Sequence, residues 1–315
     1  MLVLFGWIAF LGVSLYALTK GADLFVDNAK KLGLMLGLPP FVVGVLIVGV
    51  GTSFPELATS IAAVFRGATE IVTANAIGSN ITNILLIVGL LGALAGRIVI
   101  GKDLIKNELP IFVVATIHFI AIAIDGVIDR VEGLLLLGTY AVYIAYLLSD
   151  EGKEDKVMVA RVELRDTNFS WATVGLLLVG LVLVLVGAKY AVDSVVALAM
   201  IVGIPMVVIS ITAIALGTSL PELFVSLFAL KGGNLDLAVG NVFGSNAFNI
   251  LMAVGVPAVI TPLTLGGDAG YFGLAIMAAA SFIFFVNGLA RKIDRWESLM
   301  FLLFYVFFII KIFSL

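Results

Sequence analysis

Residues 51–60 read GTSFPELATS and residues 217–226 read GTSLPELFVS, so that seven of ten positions are identical. A second pair of blocks, NAIGSNITNIL at 75–85 and NVFGSNAFNIL at 241–251, shares seven of eleven positions. Both pairs are separated by 166 residues, and the alignment between them needs no gap. The chain therefore contains an internal repeat of one structural unit.

The composition places both copies of this unit in a membrane. Hydrophobic residues make up 62% of the 315 residues, charged residues only 12%, and the mean hydropathy is +1.21. These values exclude an ordinary soluble domain. A helix crosses the hydrocarbon of a bilayer with about 20 apolar residues, and the chain offers roughly ten such stretches. It has no cysteine, which excludes disulfides and thiolate metal sites.

The apolar stretches predict an all-α membrane protein with ten transmembrane helices in two five-helix repeats. The first repeat occupies residues 1–149 and the second residues 171–315, and the charged segment 150–170 is a cytoplasmic linker. The predicted spans are 2–33, 41–65, 71–96, 108–125, 131–149, 171–200, 206–230, 236–261, 270–290 and 296–314. The first and sixth stretches exceed one bilayer width, so we expect long, tilted helices there.

The odd number of helices in each repeat determines how the repeats are related. The second copy must enter the membrane from the opposite face, which makes the repeats inverted, a design typical of transporters. With the N-terminus outside, thirteen Lys and Arg of the loops lie on the inner side and three on the outer side. We therefore predict a multi-pass protein of the cell membrane with both termini extracytoplasmic. The lipid bilayer is its expected surrounding, and no nucleic acid is an expected partner.

The first block predicts a broken helix that presents oxygen ligands at membrane depth. Pro55 lacks an amide hydrogen, so the carbonyl of Gly51 loses its partner within the helix. Pro221 has the same effect on Gly217. Residues spaced by four share a helix face, which groups Thr52 with Glu56 and Ser60, and Thr218 with Glu222 and Ser226.

The second block adds uncharged polar faces. The spacing of four groups Asn75, Ser79 and Asn83 in the first copy and Asn241, Ser245 and Asn249 in the second. All these groups are hard oxygen ligands, which suit sodium, calcium or magnesium rather than zinc, copper or iron. Two carboxylates neutralise one divalent ion, and the same oxygens also suit several monovalent ions. The sequence thus predicts a cation site between the repeats, near the membrane midplane.

Each of these polar groups also has a structural alternative. A carboxylate at the bilayer centre costs roughly 2.5–3.5 kcal/mol, so two in matching contexts favour function over a structural pair that bonds to backbone. Asn83 and Asn249 are ion ligands or interhelical hydrogen-bonding groups. The hydroxyl residues of the motifs bind ions or allow close helix packing: Thr52, Ser53, Thr218, Ser219, Ser79 and Ser245. Four further amides are expected to brace the helix breaks: Asn75, Asn80, Asn241 and Asn246.

The paired GTSxPE and GSNxxN blocks resemble the two alpha-repeats of the cation/calcium antiporter superfamily, in its sodium/calcium exchanger branch. The resemblance covers essentially the whole chain and implies inverted halves and alternating access. It implies sodium and calcium as transported ions, no other cofactor, and a prokaryotic type without a large regulatory loop. The ion ligands that it implies are Glu56, Glu222, Asn83, Ser79, Ser245, Ser53, Ser219, Thr52 and Thr218, assisted by the carbonyls of Gly49 and Ala215, with Glu56, Glu222, Thr52 and Thr218 as metal ligands.

Departures from related branches narrow the expected function. Potassium-dependent exchangers carry Asp at the position of Asn249, so potassium coupling is disfavoured. The proton/calcium branch usually shows GNAxE in place of GTSxPE, which disfavours proton coupling. We therefore expect a secondary antiporter, not an enzyme, that exchanges sodium for calcium. The alternatives are a proton/calcium antiporter and a cation channel. Channels usually build filters from rings of subunits or loops, whereas this site is formed within one chain, which also predicts a functional monomer.

Overall fold

The computed structural model describes residues 2–99, 109–149, 170–202 and 217–312, together with Ser314, and these residues are mostly helical. The first repeat contains α1 (Leu2–Leu36), α2 (Pro40–Val43), α3 (Val50–Thr52), α4 (Phe54–Phe65), α5 (Thr69–Ile81), α6 (Gly89–Ala95), α7 (Leu109–Ala123) and α8 (Arg130–Leu148). The second contains α9 (Trp171–Val202), α10 (Leu220–Lys231), α11 (Leu235–Phe248), α12 (Gly255–Ile260), α13 (Gly267–Leu289) and α14 (Arg295–Ile312). π-Helical turns continue three of the helices: Gly44–Gly49 between α2 and α3, Thr82–Val88 between α5 and α6, and Asn249–Ala253 after α11.

The helices follow the apolar stretches of the sequence. Within the described residues, seven helical runs are long and apolar enough to cross a membrane. Each run that is described in full begins and ends within three residues of a predicted span. Residues 203–216, which include most of the first half of the seventh predicted span, and residues 150–169 of the predicted linker lie outside the described residues. The chain is therefore a multi-pass helical membrane protein, and the count of ten spans remains a prediction.

The two longest helices, α1 and α9, pack against each other along their length. With 35 residues α1 measures about 52 Å, well beyond the roughly 30 Å of hydrocarbon, so it must tilt. Glycines bring the two backbones together: a Cβ on Gly21 would lie 2.7 Å from the amide nitrogen of Val184, and one on Gly180 would lie 2.6 Å from that of Phe25. Small residues at a contact allow this close approach of membrane helices.

A second glycine contact brings the first repeat against α11 of the second repeat. A Cβ on Gly44 would lie 2.4 Å from the carbonyl oxygen of Leu237, and a Cβ on Gly244 would lie 2.4 Å from that of Val45. No larger residue fits at either position without displacing backbone. The broken helix of one repeat is thereby held against the amide-bearing helix of the other.

Four short strands, which the sequence did not predict, join the loops of the two repeats. They are β1 (Arg97–Val99), β2 (Val127–Ile128), β3 (Leu263–Thr264) and β4 (Lys292–Asp294). β1 pairs with β4 and β2 with β3, both antiparallel. The two sheets lie beyond opposite ends of the helical run from Thr69 to Ala95. The sheet of β2 and β3 lies at its start, where Thr73 in the first turns of α5 donates to the carbonyl of Thr264 at 2.8 Å. The sheet of β1 and β4 lies at its end, because Arg97 of β1 follows α6. Each sheet therefore takes one strand from each repeat.

Candidate functional site

Both copies of the first sequence block interrupt a helix at a serine. Ser53 separates α3 from α4 with φ −90° and ψ 5°, and Ser219 precedes α10 with φ −88° and ψ 2°. The prolines then occupy the first turn of the new helix, where the missing amide hydrogen costs no helical hydrogen bond. Glu56 and Glu222 consequently fall in the first turns of α4 and α10. Helix N-termini favour negative charge, so the breaks stabilise both carboxylates where they stand.

The two carboxylates lie in the interior of the molecule. Glu56 and Glu222 have no exposed surface, and they are close enough to interact electrostatically. The hydroxyl side chains of Thr52 and Ser53, which lie around them, are also completely buried. In the interior of a membrane protein such a pair of like charges is stable only when a cation or a proton compensates it.

Glu222 receives hydroxyl donors from two helices. Ser53 of the first repeat donates to Glu222 Oε1 at 2.9 Å, and Ser245 of α11 donates to the same oxygen at 3.4 Å. The Ser245 hydroxyl also lies 3.3 Å from the carbonyl oxygen of Gly49 and 3.4 Å from the hydroxyl of Thr52. The predicted ligands of both repeats therefore meet around this carboxylate.

Glu56 has a different surrounding. Neither of its carboxylate oxygens has a hydrogen-bond partner among the described residues, and the hydroxyl of Ser219, the repeat equivalent of Ser53, has none either. On this side of the site, the hydroxyl of Ser79 in the first repeat lies 3.3 Å from the hydroxyl of Thr218 in the second. Buried acceptors without donors are expensive unless an ion or water satisfies them, so the oxygens of Glu56 are candidate cation ligands.

Two of the four asparagines predicted to brace the broken helices do so, namely Asn75 and Asn241, whereas Asn80 and Asn246 contact each other. Asn241 donates to the backbone carbonyl of Glu222 at 3.2 Å, and Asn75 donates to that of Glu56 at 3.5 Å. The amide oxygen of Asn241 accepts from Thr52 at 3.2 Å, and that of Asn75 accepts from Thr218 at 3.5 Å. A threonine that donates its hydrogen to an amide keeps oxygen lone pairs for an ion.

Four more amides meet where the repeats face each other. Asn80 donates to the backbone carbonyl of its own repeat equivalent, Asn246, at 3.1 Å, so the axis that relates the repeats passes between them. The Nδ2 amide of Asn83 donates to Oδ1 of Asn246 at 3.0 Å. Its own Oδ1 has no donor among the described residues. Both polar atoms of Asn249 are buried and without a partner among the described residues. Oδ1 of Asn83 and of Asn249 are therefore further candidate ligands.

The structure brings nearly all predicted site residues to one buried region. The interior contains Glu56, Glu222, Asn83, Asn249, Thr52, Ser53, Ser219, Ser79, Ser245 and Gly49 without appreciable exposure, and Thr218 is partly buried. Ala215 lies outside the described residues. Among those residues no group of three or more acidic, histidine or cysteine side chains forms a metal cluster. The site thus combines two carboxylates with neutral oxygens, which is the donor set expected for sodium or calcium.

Sequence reasoning missed the π-helical turns. Asn83 lies in the turn Thr82–Val88, and Asn249 begins the turn Asn249–Ala253. Such turns are frequent at functional sites because they leave backbone groups out of the regular hydrogen-bond ladder. The spacing of polar residues carries no signal for them, and neither does proline, since neither turn contains one.

A cavity of about 390 Å³ leads from the site region toward the end of the molecule that carries β2 and β3. Asn75 and Ser79 lie at its polar part, and Glu70 and Gly266 belong to its wall near the loops. Most of the remaining wall is apolar and comes from α5, α13 and α14. The cavity therefore reaches the site along α5 of the first repeat, where Asn75 and Ser79 lie.

Comparisons with known proteins agree with this geometry. The family model described as sodium/calcium exchanger protein matches residues 6–149 and 172–313. The sodium/calcium exchanger MaX1 of Methanosarcina acetivorans is 31% identical over 96% of this chain and 97% of its own length. The inner membrane protein YrbG of Escherichia coli is 33% identical over 88% of this chain and 86% of its own. A solved structure of the sodium-calcium exchanger NCX_Mj, soaked with sodium and strontium, superposes with a TM-score of 0.84 and 31% identity over 96% of this chain and 98% of its own.

Proposed function

The chain belongs to the sodium/calcium exchanger family, and we propose that it exchanges sodium for calcium across the cell membrane by alternating access. Cation/calcium antiport, and hence transport rather than catalysis, follows from the family. To this family-level function our proposal adds three points. The counter-ion is sodium, the protein functions as a monomer, and both termini are extracytoplasmic. The observation that carries the proposal is the pair of fully buried carboxylates, Glu56 and Glu222, among neutral oxygens from both repeats.

The chemistry of the site supports competition between the two ions. One calcium ion neutralises both carboxylates, and so do two sodium ions. The hydroxyls of Thr52 and Thr218 and the oxygens of Asn83 and Asn249 are hard ligands that either ion accepts. Because the two ions share these ligands, calcium binding displaces sodium and sodium binding displaces calcium. The ion ligands that we propose are those predicted from the sequence, Glu56, Glu222, Asn83, Asn249, Thr52, Ser53, Thr218, Ser219, Ser79 and Ser245, with the carbonyls of Gly49 and Ala215.

The same pair of charges couples the two fluxes. A site without cations would hold two uncompensated carboxylates in a low-dielectric interior, and moving it between the membrane faces would cost several kcal/mol per charge. Only a filled site therefore changes its accessibility. Asn249 adds no third carboxylate, so the site has no remaining charge for a potassium ion beside calcium. This favours exchange of sodium for calcium without potassium.

Calcium uptake into vesicles containing the purified protein tests the coupling. Vesicles loaded with sodium, potassium or acidic buffer are diluted into the same calcium solution, and uptake is recorded side by side. We expect rapid uptake with internal sodium alone. Uptake driven equally by a pH gradient would identify a proton/calcium antiporter, and uptake without any counter-ion gradient would identify a channel.

Neutral replacements of the carboxylates test the site. Glu56→Gln and Glu222→Gln are each expected to lower sodium-driven calcium uptake roughly 30-fold or more, because a lost partner of a buried charge costs at least about 2 kcal/mol. Asp268→Asn is the matched control, since Asp268 is an exposed carboxylate in the first turn of α13. Rates like those of the unaltered protein in either Gln variant would refute the assignment of the site.

A further inference from the structure

The segments that begin α8 and α14 share one backbone design at opposite ends of the molecule. The amide of Asp129 donates to Glu132 at 2.8 Å, and the amide of Asp294 donates to Glu297 at 2.8 Å. The two Asp–Glu pairs are 165 residues apart, one fewer than the motif blocks, and both lie in an Ile-Asp-Arg sequence, so they are repeat equivalents after a deletion of one residue. Each follows a short strand, β2 or β4, that pairs with the other repeat. A short strand followed by a helix that an Asp–Glu pair caps therefore occurs twice, once at each membrane face, and we call this arrangement the frame.

The residues on this frame differ in charge between the two ends. Residues 126–131 read GVIDRV, and residues 291–296 read RKIDRW. The paired segments differ in the same way, because the strand registers match Arg97 of β1 with Pro262, which directly precedes β3. The end with β1 and β4 therefore carries Arg97, Arg291, Lys292 and Arg295, which we call the basic patch, whereas the end with β2 and β3 carries Arg130 at these positions.

Arg291 adopts a backbone conformation that favours glycine. Its φ is +60°, and it is the one non-glycine residue with positive φ in the described part of the chain. Its equivalent at the other end is Gly126, with φ +90°. Glycine is the usual residue after a helix in this conformation, since a Cβ is unfavourable there. An arginine in this place indicates that its side chain serves a purpose that offsets the strain.

Part of the positive charge of the basic patch has no ion-pair partner among the described residues. Asp294 pairs with Arg97 and lies 3.0 Å from Nζ of Lys292. These two cations hold the pKa of the Asp294 carboxyl below its usual range, so this carboxylate is charged at neutral pH. Arg291 and Arg295 are exposed and form no ion pair with the residues that the structure describes.

Apolar side chains adjoin Arg291 and Arg295. Trp296 is 77% exposed and directly follows Arg295. One and two turns further along α14, Met300 and Leu303 are 67% and 64% exposed. Tryptophan is enriched at membrane–water interfaces, and exposed apolar residues beyond it face lipid chains. The surface next to the basic patch thus changes from cationic to apolar in the direction of the membrane interior.

We propose that the basic patch, with Trp296, binds the headgroup of an anionic phospholipid in the leaflet that the loop charges assign to the cytoplasm. Arginine forks bind phosphate oxygens through paired hydrogen bonds, which suits Arg291 and Arg295. The apolar path along α14 seats the acyl chains of the same molecule, so the ligand is a lipid rather than free phosphate. Each basic residue near a membrane surface strengthens such binding about fivefold.

Quenching of tryptophan fluorescence by brominated lipids tests the proposal. The chain has three tryptophans, so Trp7→Phe and Trp171→Phe leave Trp296 as the sole reporter. The protein is reconstituted into vesicles whose two leaflets both contain brominated phosphatidylglycerol or, in parallel, brominated phosphatidylcholine. We expect several-fold stronger quenching by the anionic lipid. In this background R291G/K292V, which restores the sequence of the other end, should remove most of this preference, whereas R130Q should leave it unchanged.

Three results would overturn the proposal. Equal quenching by both lipids in the starting protein would show that Trp296 senses no anionic headgroup, and an undiminished preference in R291G/K292V would place the binding elsewhere. Removal of the preference by millimolar glycerol phosphate would identify a soluble phosphate as the ligand. Because both leaflets contain the brominated lipid and no ion gradient is applied, the readout depends neither on the orientation of the protein nor on the exchange reaction proposed above.

Discussion

Glu222 and Glu56 occupy equivalent positions in the two repeats, yet their carboxylates have different surroundings. Glu222 accepts hydroxyl hydrogens from Ser53 and Ser245, whereas Glu56 accepts none from the described residues, and the hydroxyl of Ser219 is left without a partner. The two sequence motifs are nearly identical, so the difference lies in how they are placed. In the alternating-access mechanism that we propose, unequal conformations of two inverted repeats would open the site to one membrane face at a time.

Two of the helix contacts behind the carboxylates recur in both repeats. An asparagine braces the glutamate carbonyl at 3.2 Å in one and 3.5 Å in the other. The threonine and serine hydroxyls of the facing helices are 3.4 Å and 3.3 Å apart. Other contacts differ between the repeats, because Asn241 also donates to the hydroxyl of Ser226 at 2.8 Å, whereas the equivalent hydroxyl of Ser60 has no partner among the described residues. Substitutions at equivalent positions can test each part of this comparison separately.

The largest difference is expected between Ser53→Ala and Ser219→Ala. Ser53→Ala removes the closer donor from a buried carboxylate and should lower the free energy of unfolding by about 1.5–3 kcal/mol, whereas Ser219→Ala breaks no hydrogen bond to a described residue and should change it little. Thermal unfolding of the purified protein in detergent without calcium measures both. Equal losses in the two variants would mean that the two carboxylates have equivalent surroundings in solution.

Two glycines at equivalent positions should respond in opposite directions. A Cβ on Gly244 would lie 2.4 Å from the carbonyl oxygen of Val45, so Gly244→Ala should destabilise the protein by about 1–3 kcal/mol. At Gly78 a Cβ would meet nothing within 4 Å, and alanine is the better helix former, so Gly78→Ala should stabilise by up to about 1 kcal/mol. The same unfolding measurement decides, and a stable Gly244→Ala variant would contradict the close packing of α11.

The amides Asn83 and Asn249 should separate stability from transport. Asn83→Leu leaves Oδ1 of Asn246 without its donor and should cost about 1 kcal/mol, whereas Asn249→Leu breaks no bond to a described residue and should be neutral or stabilising. Both should slow sodium-driven calcium uptake if both oxygens bind ions. A fast Asn249→Leu variant would remove Asn249 from the set of ligands.

The smallest effect is expected at the surface, in the sheet of β1 and β4. Arg97 and Lys292 lower the pKa of Asp294, so the folded state is stabilised by its ionised form at neutral pH, and this stabilisation is lost as the pH falls through the lowered pKa. Asp294→Asn should therefore reduce the melting temperature slightly at neutral pH and low salt. The difference should disappear at high salt or in acid. A difference that persists at high salt would point to a packing defect instead.

Much of the fold was predictable because a membrane constrains it strongly. Backbone groups in lipid must be satisfied within a helix, so each apolar stretch becomes one, and its limits follow from hydropathy. The presence of a helix break in each motif followed from Pro55 and Pro221, but its exact position at Ser53 and Ser219 did not. The four strands did not follow, because two or three residues such as Val127 and Ile128 carry no periodicity that distinguishes a strand from a loop.

The site was predictable in its members but not in its arrangement. The spacing of four identified which oxygens share a helix face, and the duplication indicated that they meet. Nothing in two nearly identical motifs distinguishes Glu222 from Glu56, since the difference arises from long-range packing. The pairing of Asn83 with Asn246, and the π-helical turn that holds Asn83, likewise depend on the facing repeat and have no local signal.

The two small sheets bear on how such a chain arises. β1 pairs with β4 and β2 with β3, so every pair joins one repeat to the other, and exchanging the repeats converts one sheet into the other. A single repeat would leave both of its strand edges open, and a second, antiparallel copy of the same repeat would close them. One half of this chain, made as a separate polypeptide, thus has strand edges that an oppositely oriented second copy could pair with, as in a dual-topology homodimer. Fusion of two such genes would keep the same strand pairs between the halves.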